Sequence, residues 1–163
     1  MARRLIIGLA VLAGTLILAG WLFKIPIGER LFDRAIESAM GRDVLGGLPD
    51  GLHVALCGSG SPLPDPTRAG PCSAVIAGDK IFIVDIGGGA VRNIGRMGLP
   101  LTNVEALVLT HFHSDHIDGM GELLLQRWAG GGHKSPLPVI APEGVTAITD
   151  GLNAAYAADF QYR

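Results

Sequence analysis

Thr110-His111-Phe112-His113-Ser114-Asp115-His116-Ile117-Asp118-Gly119 gathers three histidines and an aspartate between His111 and His116, directly after the apolar run Ala106-Leu107-Val108-Leu109. That run predicts a buried strand over Val104 to Thr110. His111 and His113 stand two apart at its end, so both side chains are expected to point the same way. Asp115 and His116 come after the chain leaves the strand, where a turn can swing them towards the same point. Imidazole and carboxylate are the ligands that Zn²⁺, Fe²⁺ and Mn²⁺ accept. With two donors on each side of the bend, one ion cannot easily take all four. Two neighbouring ions can, His111 and His113 holding one, Asp115 and His116 the other. A water bridging two such ions loses a proton near neutral pH and becomes a nucleophile for hydrolysis. The competing reading is a histidine-rich surface turn without metal; four ligand-type residues between a buried strand and a glycine-tolerant turn weigh against it.

Working backwards, Leu52 to Cys57 alternates as a strand and runs into Gly58-Ser59-Gly60-Ser61-Pro62. Gly58 and Gly60 permit a tight turn and a close approach of backbone amides to a ligand, a weak phosphate-loop signal on its own. Pro62, Pro64, Pro66 and Pro71 stiffen the loop that follows, in which Arg68 and Ser61 are candidates for meeting an anionic substrate, with a structural loop role as the alternative. Ser73 to Ala77 and Lys80 to Asp85 flank Gly78-Asp79 and predict a hairpin, with Ile81 to Val84 as a central strand. Ala90 to Met97 predicts a short helix closed by Gly98. Working forwards, Gly121 to Trp128 predicts a helix with Leu124, Leu125 and Trp128 facing inwards, Val139 to Ala141 a strand, and Glu143 to Phe160 a helix interrupted at Gly151. Strands alternating with helices after an early hairpin indicate a layered α/β domain. Ser114 is expected to cap the following turn, Asp118 to be a surface or turn residue, and His53 and His133 to face solvent.

His111-x-His113-x-Asp115-His116, with Leu109-Thr110 before it, closely resembles the signature of the metallo-β-lactamase-fold hydrolases. Gly58-Ser59-Gly60-Ser61-Pro62 and Val84-Asp85-Ile86-Gly87 resemble the first-strand turn and strand-end Asp-x-Gly of the ribonuclease Z and arylsulfatase-like branch. The resemblance covers about residues 50 to 163. It implies an αβ/βα sandwich and a metal-bound hydroxide as nucleophile, with His111 and His113 on the first metal and Asp115 and His116 on the second. The cofactors implied are two divalent ions, zinc first, with iron or manganese as alternatives. Asp115 would also orient the attacking water, and Asp85 would be the carboxylate behind the ligands that holds the histidine loop; an Asx cap of the glycine turn is the other reading of Asp85. Complete members carry a further histidine, a bridging aspartate and a last histidine in a second half. After His116 and the adjacent Asp118 this chain offers only His133, Asp150 and Asp159. It therefore reads as the N-terminal half of such a sandwich, with one apolar sheet face uncovered, weak metal binding and little hydrolysis by itself. The expected function is hydrolysis of an ester-type bond, phosphodiester or sulfate ester ahead of lactone or β-lactam. The alternative is a membrane-tethered, non-catalytic metal-binding or interaction domain.

The N-terminus is of another kind. Met1-Ala2-Arg3-Arg4 precedes Leu5 to Phe23, which holds no charged residue, and the run raises the overall 48% hydrophobic content and the mean hydropathy of +0.39. At about 1.5 Å per residue such a run can just cross a hydrocarbon core of roughly 30 Å. Residues 1–24 are read as a signal-anchor, with a cleaved signal peptide and secretion as the alternative, and 25–48 as a juxtamembrane helix and linker. That leaves 49–163 as the catalytic-type domain, held outside the cytoplasm. Net charge is −2 with no Lys/Arg cluster past Arg4, so a nucleic-acid partner is not expected; the substrate is expected to be a small molecule or ester. Cys57 and Cys72 are read as two separate small buried residues rather than a pair, although an oxidising compartment would permit pairing.

Overall fold

The computed structural model describes residues 44–131 and 135–162 except Pro64, together with positions 4, 6–8, 12–15, 18, 20–21, 26–32 and 34. The chain divides into two compact units, Met1–Arg42 and Asp43–Arg163. In the first, the described positions are helical. Among the described residues no helix is long and apolar enough to cross a membrane, and much of the charge-free run 5–23 and of the juxtamembrane segment expected over 25–48 lies outside them.

The second unit is built on a five-stranded mixed sheet. Its strands are β1 (Leu52–Gly58), β2 (Cys72–Ala77), β3 (Lys80–Val84), β4 (Val104–Val108) and β5 (Val139–Ile140), in the spatial order β1-β2-β3-β4-β5. β1, β2 and β3 form an antiparallel meander; β4 and β5 add in parallel, each after a helical crossover. The β2–β3 hairpin turns at Gly78-Asp79, where Gly78 has φ 61°, a conformation that the first position of a tight hairpin turn requires. The helices are α1 (Ala90–Arg96), α2 (Ser114–Ile117), α3 (Met120–Gly131) and α4 (Val145–Tyr156). Gly98, at φ 73°, ends α1, and the Leu99 N–H reaches back to the Ile94 carbonyl. α4 runs unbroken through Gly151, so that glycine does not interrupt it.

Alternation in the strands sorts the sheet into two faces. On one, Ala74, Ile83, Leu107 and Val139 are successive cross-strand neighbours, as are Ile76, Ile81 and Val104. Apart from the partly buried Val139, these join Val91 and Ile94 of α1 and Met120 and Leu123 of α3 in the buried core, onto which Val139, Val44, Leu45 and Leu48 pack. The opposite face carries Val54, Val75, Phe82 and Ala106 in one row and Leu56, Ser73, Val84, Val108 and Ile140 in the next. Its outer strands are open: Val54, Leu56 and Ile140 are 64%, 65% and 59% exposed. An apolar sheet face of that kind is what half of a sandwich presents.

Two expectations about side-chain placement are corrected. Leu124 packs against the core as expected, but the buried side of α3 is Met120, Leu123 and Arg127, and Trp128 is 38% exposed and meets Phe160 edge to face. Arg127 can be buried because its Nε donates to the Val104 carbonyl at 2.8 Å and its Nη1 to the Ser135 carbonyl at 3.2 Å. Burial lowers its pKa, an effect that the Glu105 charge opposes. The two cysteines are likewise not separate: Cys57 and Cys72 form a disulfide, with their Cα atoms 5.0 Å apart. The β1–β2 register shifts between Leu56 and Gly58, and the residue at that bulge is Cys57, turned into the core beside Cys72.

Candidate metal centre

β3 and β4 run parallel and end side by side, which brings Asp85 next to the loop that leaves β4. The Asp85 N–H donates to the Val108 carbonyl and the Ile86 N–H to the His116 carbonyl, so the strand end is stitched to both sides of the histidine loop. Asp85 has φ 56°, the only described non-glycine residue with positive φ. Aspartate tolerates this region better than most residues, yet it is uncommon enough to mark a position fixed by its surroundings.

Both oxygens of that carboxylate are in use. Oδ1 accepts from the Thr110 N–H, and Oδ2 accepts from Thr110 Oγ1 and His116 Nδ1, each at 2.8 Å. Burial works to raise the carboxyl's pKa, but the Thr110 N–H, His116 and the Thr110 hydroxyl together outweigh it and hold the pKa below its ordinary value. An ionised carboxylate only accepts, so His116 Nδ1 must carry the proton, and in the neutral ring Nε2 presents a lone pair. The same logic passes through Thr110. Its hydroxyl proton is given to Asp85, so its oxygen accepts from His111 Nδ1 at 2.9 Å, and His111 Nε2 is likewise left with a lone pair. One carboxylate thus sets the tautomers of two imidazoles.

The four candidate ligands form two pairs. His111 Nε2 and His113 Nδ1 are 3.1 Å apart, and His116 Nε2 and Asp115 Oδ2 are 3.6 Å apart. The pairs adjoin through the His111 and His116 rings, whose centroids are 4.1 Å apart. Two nitrogens on one zinc, each at about 2.0–2.1 Å in a tetrahedral site, lie roughly 3.3 Å from each other, so the first pair has the spacing of two ligands of one ion. The donor chemistry and the oriented lone pairs fit divalent cations. Among the described residues no three such side chains converge on a single point. Each pair presents two donors.

The local backbone differs from expectation in detail. β4 ends at Val108, so His111 and His113 sit on the loop rather than on the strand, and Asp115 and His116 lie in the single helical turn of α2. The N-cap of α2 is His113 with no side-chain cap bond, and Ser114 is the first helical residue rather than its cap. Asp118 closes the turn, its N–H donating to the Ser114 carbonyl. His53 is half-buried and its Nε2 contacts the Pro49 carbonyl at 2.9 Å; His133 lies outside the described residues. Arg68 and Ser61 are exposed, and Arg68 pairs with Asp65 at 3.8 Å.

Gly58 and Gly60 approach backbone rather than a ligand. A Cβ on Gly58 would overlap the Gly70 carbonyl, and the Gly60 N–H donates to the Ala69 carbonyl at 2.7 Å. Gly70 in turn lies against Gly87: a Cβ on Gly87 would stand 2.6 Å from Gly70 Cα and overlap the Asp115 carbonyl. The glycine motifs are a backbone crossing that seats the ligand loop. The glycines are visible in the sequence, but the backbone segments they touch are 8 or more residues away and leave no local mark.

Comparison with known proteins agrees with this geometry. The family model for Anti-Pycsar protein Apyc1 matches residues 55–148, more than half of the chain. Ribonuclease Z of Mycolicibacterium gilvum is 40% identical over 114 residues, covering 69% of this chain and 40% of that protein. Ribonuclease Z of Mycobacterium marinum is 39% identical over 114 residues, covering 69% and 41%. The chain thus spans about 40% of the length of the curated relatives it matches. Among solved structures, human tRNase Z, short form, superposes with a TM-score of 0.58 at 22% identity over 66% of this chain and 40% of that one. The metallo-β-lactamase fold protein YhfI of Bacillus subtilis gives 0.52 at 24% identity over 59% and 38%. The chain belongs to the Anti-Pycsar protein Apyc1 family, and its fold is that of the metallo-β-lactamase proteins on their ribonuclease Z branch.

Proposed function

We propose that the protein is a metal-dependent hydrolase of phosphodiester bonds, and that this chain carries one side of its catalytic site. The observation that carries the reading is the Asp85 carboxylate fixing His111 and His116 with their Nε2 lone pairs presented. His111 and His113 would hold one cation, Asp115 and His116 a second, and Asp115 would orient the attacking water. Divalent cations there, zinc first, would supply charge neutralisation at the phosphate and acidification of water. Asp85 and Thr110 keep the imidazoles aimed, and the glycine crossing under Asp115 keeps the loop seated.

The bond class follows the relatives named ribonuclease Z and tRNase Z. Those names correct the expectation that set nucleic acid aside, and a ribonucleic-acid phosphodiester enters as a substrate. The net charge of −2 offers little attraction for a long polyanion, so the reading commits to the bond rather than to the polymer. Because the matched relatives are longer, the test belongs to the full-length gene product. With zinc it should cleave bis(p-nitrophenyl) phosphate faster than p-nitrophenyl sulfate or nitrocefin, and lose that cleavage with EDTA or His113→Ala. Faster turnover of the sulfate or the β-lactam would overturn the assignment.

A second reading, a non-catalytic metal-binding or interaction domain, draws on the pairwise rather than convergent arrangement of the described ligands. Stoichiometric zinc without turnover of any of the three substrates would establish it instead. We place the domain outside the cytoplasm behind an anchor in residues 1–24; an alkaline phosphatase reporter fused after residue 163 should be active, and an inactive one would refute the placement.

A further inference from the structure

The Cys57–Cys72 bridge is not part of the His/Asp cluster, yet it is joined to it by a short path through backbone. We infer that this disulfide is a positioning device for the cluster, so that the ligand loop is seated only where the two cysteines are oxidised. Its functional consequence rests on the reading of the cluster as a cation site.

Cys57 sits at a weak point. Leu56 pairs with Ser73 and Gly58 with Cys72, leaving Cys57 as the extra residue of the bulge, outside the ladder. Its carbonyl is held from the other side by Asn93 Nδ2 at 2.9 Å. The bridge replaces the missing ladder contact by a covalent one, and both sulfurs are buried, with Cys57 0% and Cys72 3% exposed.

From Cys72 the path to the site runs through Pro71 and Gly70. The Gly87 N–H donates to the Pro71 carbonyl at 3.0 Å, and the Gly70 N–H donates to the Gly88 carbonyl at 3.0 Å. Gly70 is also within van der Waals reach of the site: a Cβ built on it would lie 2.8 Å from the Asp115 carbonyl and 2.9 Å from Gly87 Cα. Displacing the start of β2 therefore moves the surface on which Asp115 and its neighbours rest. The cysteines are 15 residues apart and close a proline-rich loop over 59–71 whose described residues form neither helix nor strand. Without the cross-link, that loop is tied at its base by the Gly58–Cys72 pairing and the Gly60–Ala69 hydrogen bond. Cross-linking restricts the freedom of such a loop and of the segments anchored to it.

Formation of the bridge removes two electrons and two protons from the Cys57 and Cys72 thiols; a disulfide donor is reduced to its dithiol in exchange. Donors of that class act in oxidising compartments, which agrees with a domain held outside the cytoplasm.

The test compares the wild-type chain with Cys57→Ala/Cys72→Ala and with Cys57→Val/Cys72→Ala, which restores core volume in case the first fails to fold. Alkylation of the denatured, unreduced wild-type chain should find no free thiol; two free thiols would overturn the inference. Amide exchange should quicken by about tenfold or more at Ile86, Gly87 and Gly119, whose N–H groups hold the clamp, and stay unchanged at the β3–β4 pairing. Zinc affinity measured by calorimetry should fall by about tenfold in step with it. Unchanged exchange at the three amides, or equal acceleration throughout the sheet, would refute a positioning role. If wild-type chain takes up no zinc while the exchange pattern appears, the cation reading fails and the positioning role stands.

Discussion

Replacing Asp85 by asparagine tests the origin of the site's order. Asn is the non-glycine residue that most readily accepts positive φ, so Asp85→Asn leaves the φ 56° backbone unstrained and changes only the side chain's chemistry. The amide oxygen can keep the 2.8 Å bond from the Thr110 N–H, because the opposite rotamer would set NH₂ against N–H. The NH₂ then stands where Oδ2 accepted two bonds, from Thr110 Oγ1 and from His116 Nδ1. It donates to both, so the Thr110 hydroxyl turns its proton to His111 Nδ1, and both imidazoles must move their protons to Nε2. The nitrogens that would ligate are then blocked. Three hydrogen bonds survive in altered form, so the stability loss should be about 1–2 kcal/mol, the difference between charge-assisted and neutral bonds. Zinc affinity should fall by about 10–100-fold, the usual effect of losing an outer carboxylate. Nitrogen-15 NMR of the imidazoles reads the tautomers directly and calorimetry reads the affinity. Wild-type-like tautomers together with unchanged zinc affinity would refute the reasoning.

Three further outcomes follow from the same contacts. Gly87→Ala forces a methyl group into the Asp115 carbonyl and the Gly70 backbone and should cost about 3 kcal/mol or more in urea unfolding, the upper end of overpacking; a loss below about 1 kcal/mol would mean the crossing is loose. Arg127→Met keeps the packing stem but strands the Val104 and Ser135 carbonyls, and should cost about 2–3 kcal/mol by thermal or urea unfolding; a neutral effect would show that water replaces the guanidinium. For pH, the Asp85 pKa is lowered on folding from 3.8, so its contribution is complete above that value and is lost as pH falls through the lower folded value. In EDTA, the wild type should therefore lose stability more steeply than Asp85→Asn below about pH 4, and parallel acid limbs would contradict the assignment.

Much of this site could be read from the chain because its chemistry is local. His111, His113, Asp115 and His116 lie within one short loop, and an apolar strand before that loop can be seen by composition alone. The hairpin at Gly78-Asp79 and the end of α1 at Gly98 were legible for the same reason, since a positive φ leaves its mark at a single residue. α3 was legible as a helix but only in part in its phase, since Leu124 packs against the core and Trp128 does not. Apolar spacing favoured Leu124, Leu125 and Trp128, and the core took Arg127 because carbonyls from β4 and from Ser135 satisfy it.

Local spacing carries the kind of chemistry on offer: which donors are present, that they follow an apolar strand, and that Asp85 stands at the end of another. Tertiary structure alone decided how the donors are aimed and what holds them. Asp85 and Thr110 meet because β3 and β4 pair in parallel. Cys57 reaches Cys72 because β1 and β2 pair with both residues on the core side of the sheet, and Gly70 meets Gly87 beneath Asp115 because a loop folds back. These are contacts between segments 15 or more residues apart. No local spacing encodes them, because each depends on where the packed core places the other segment.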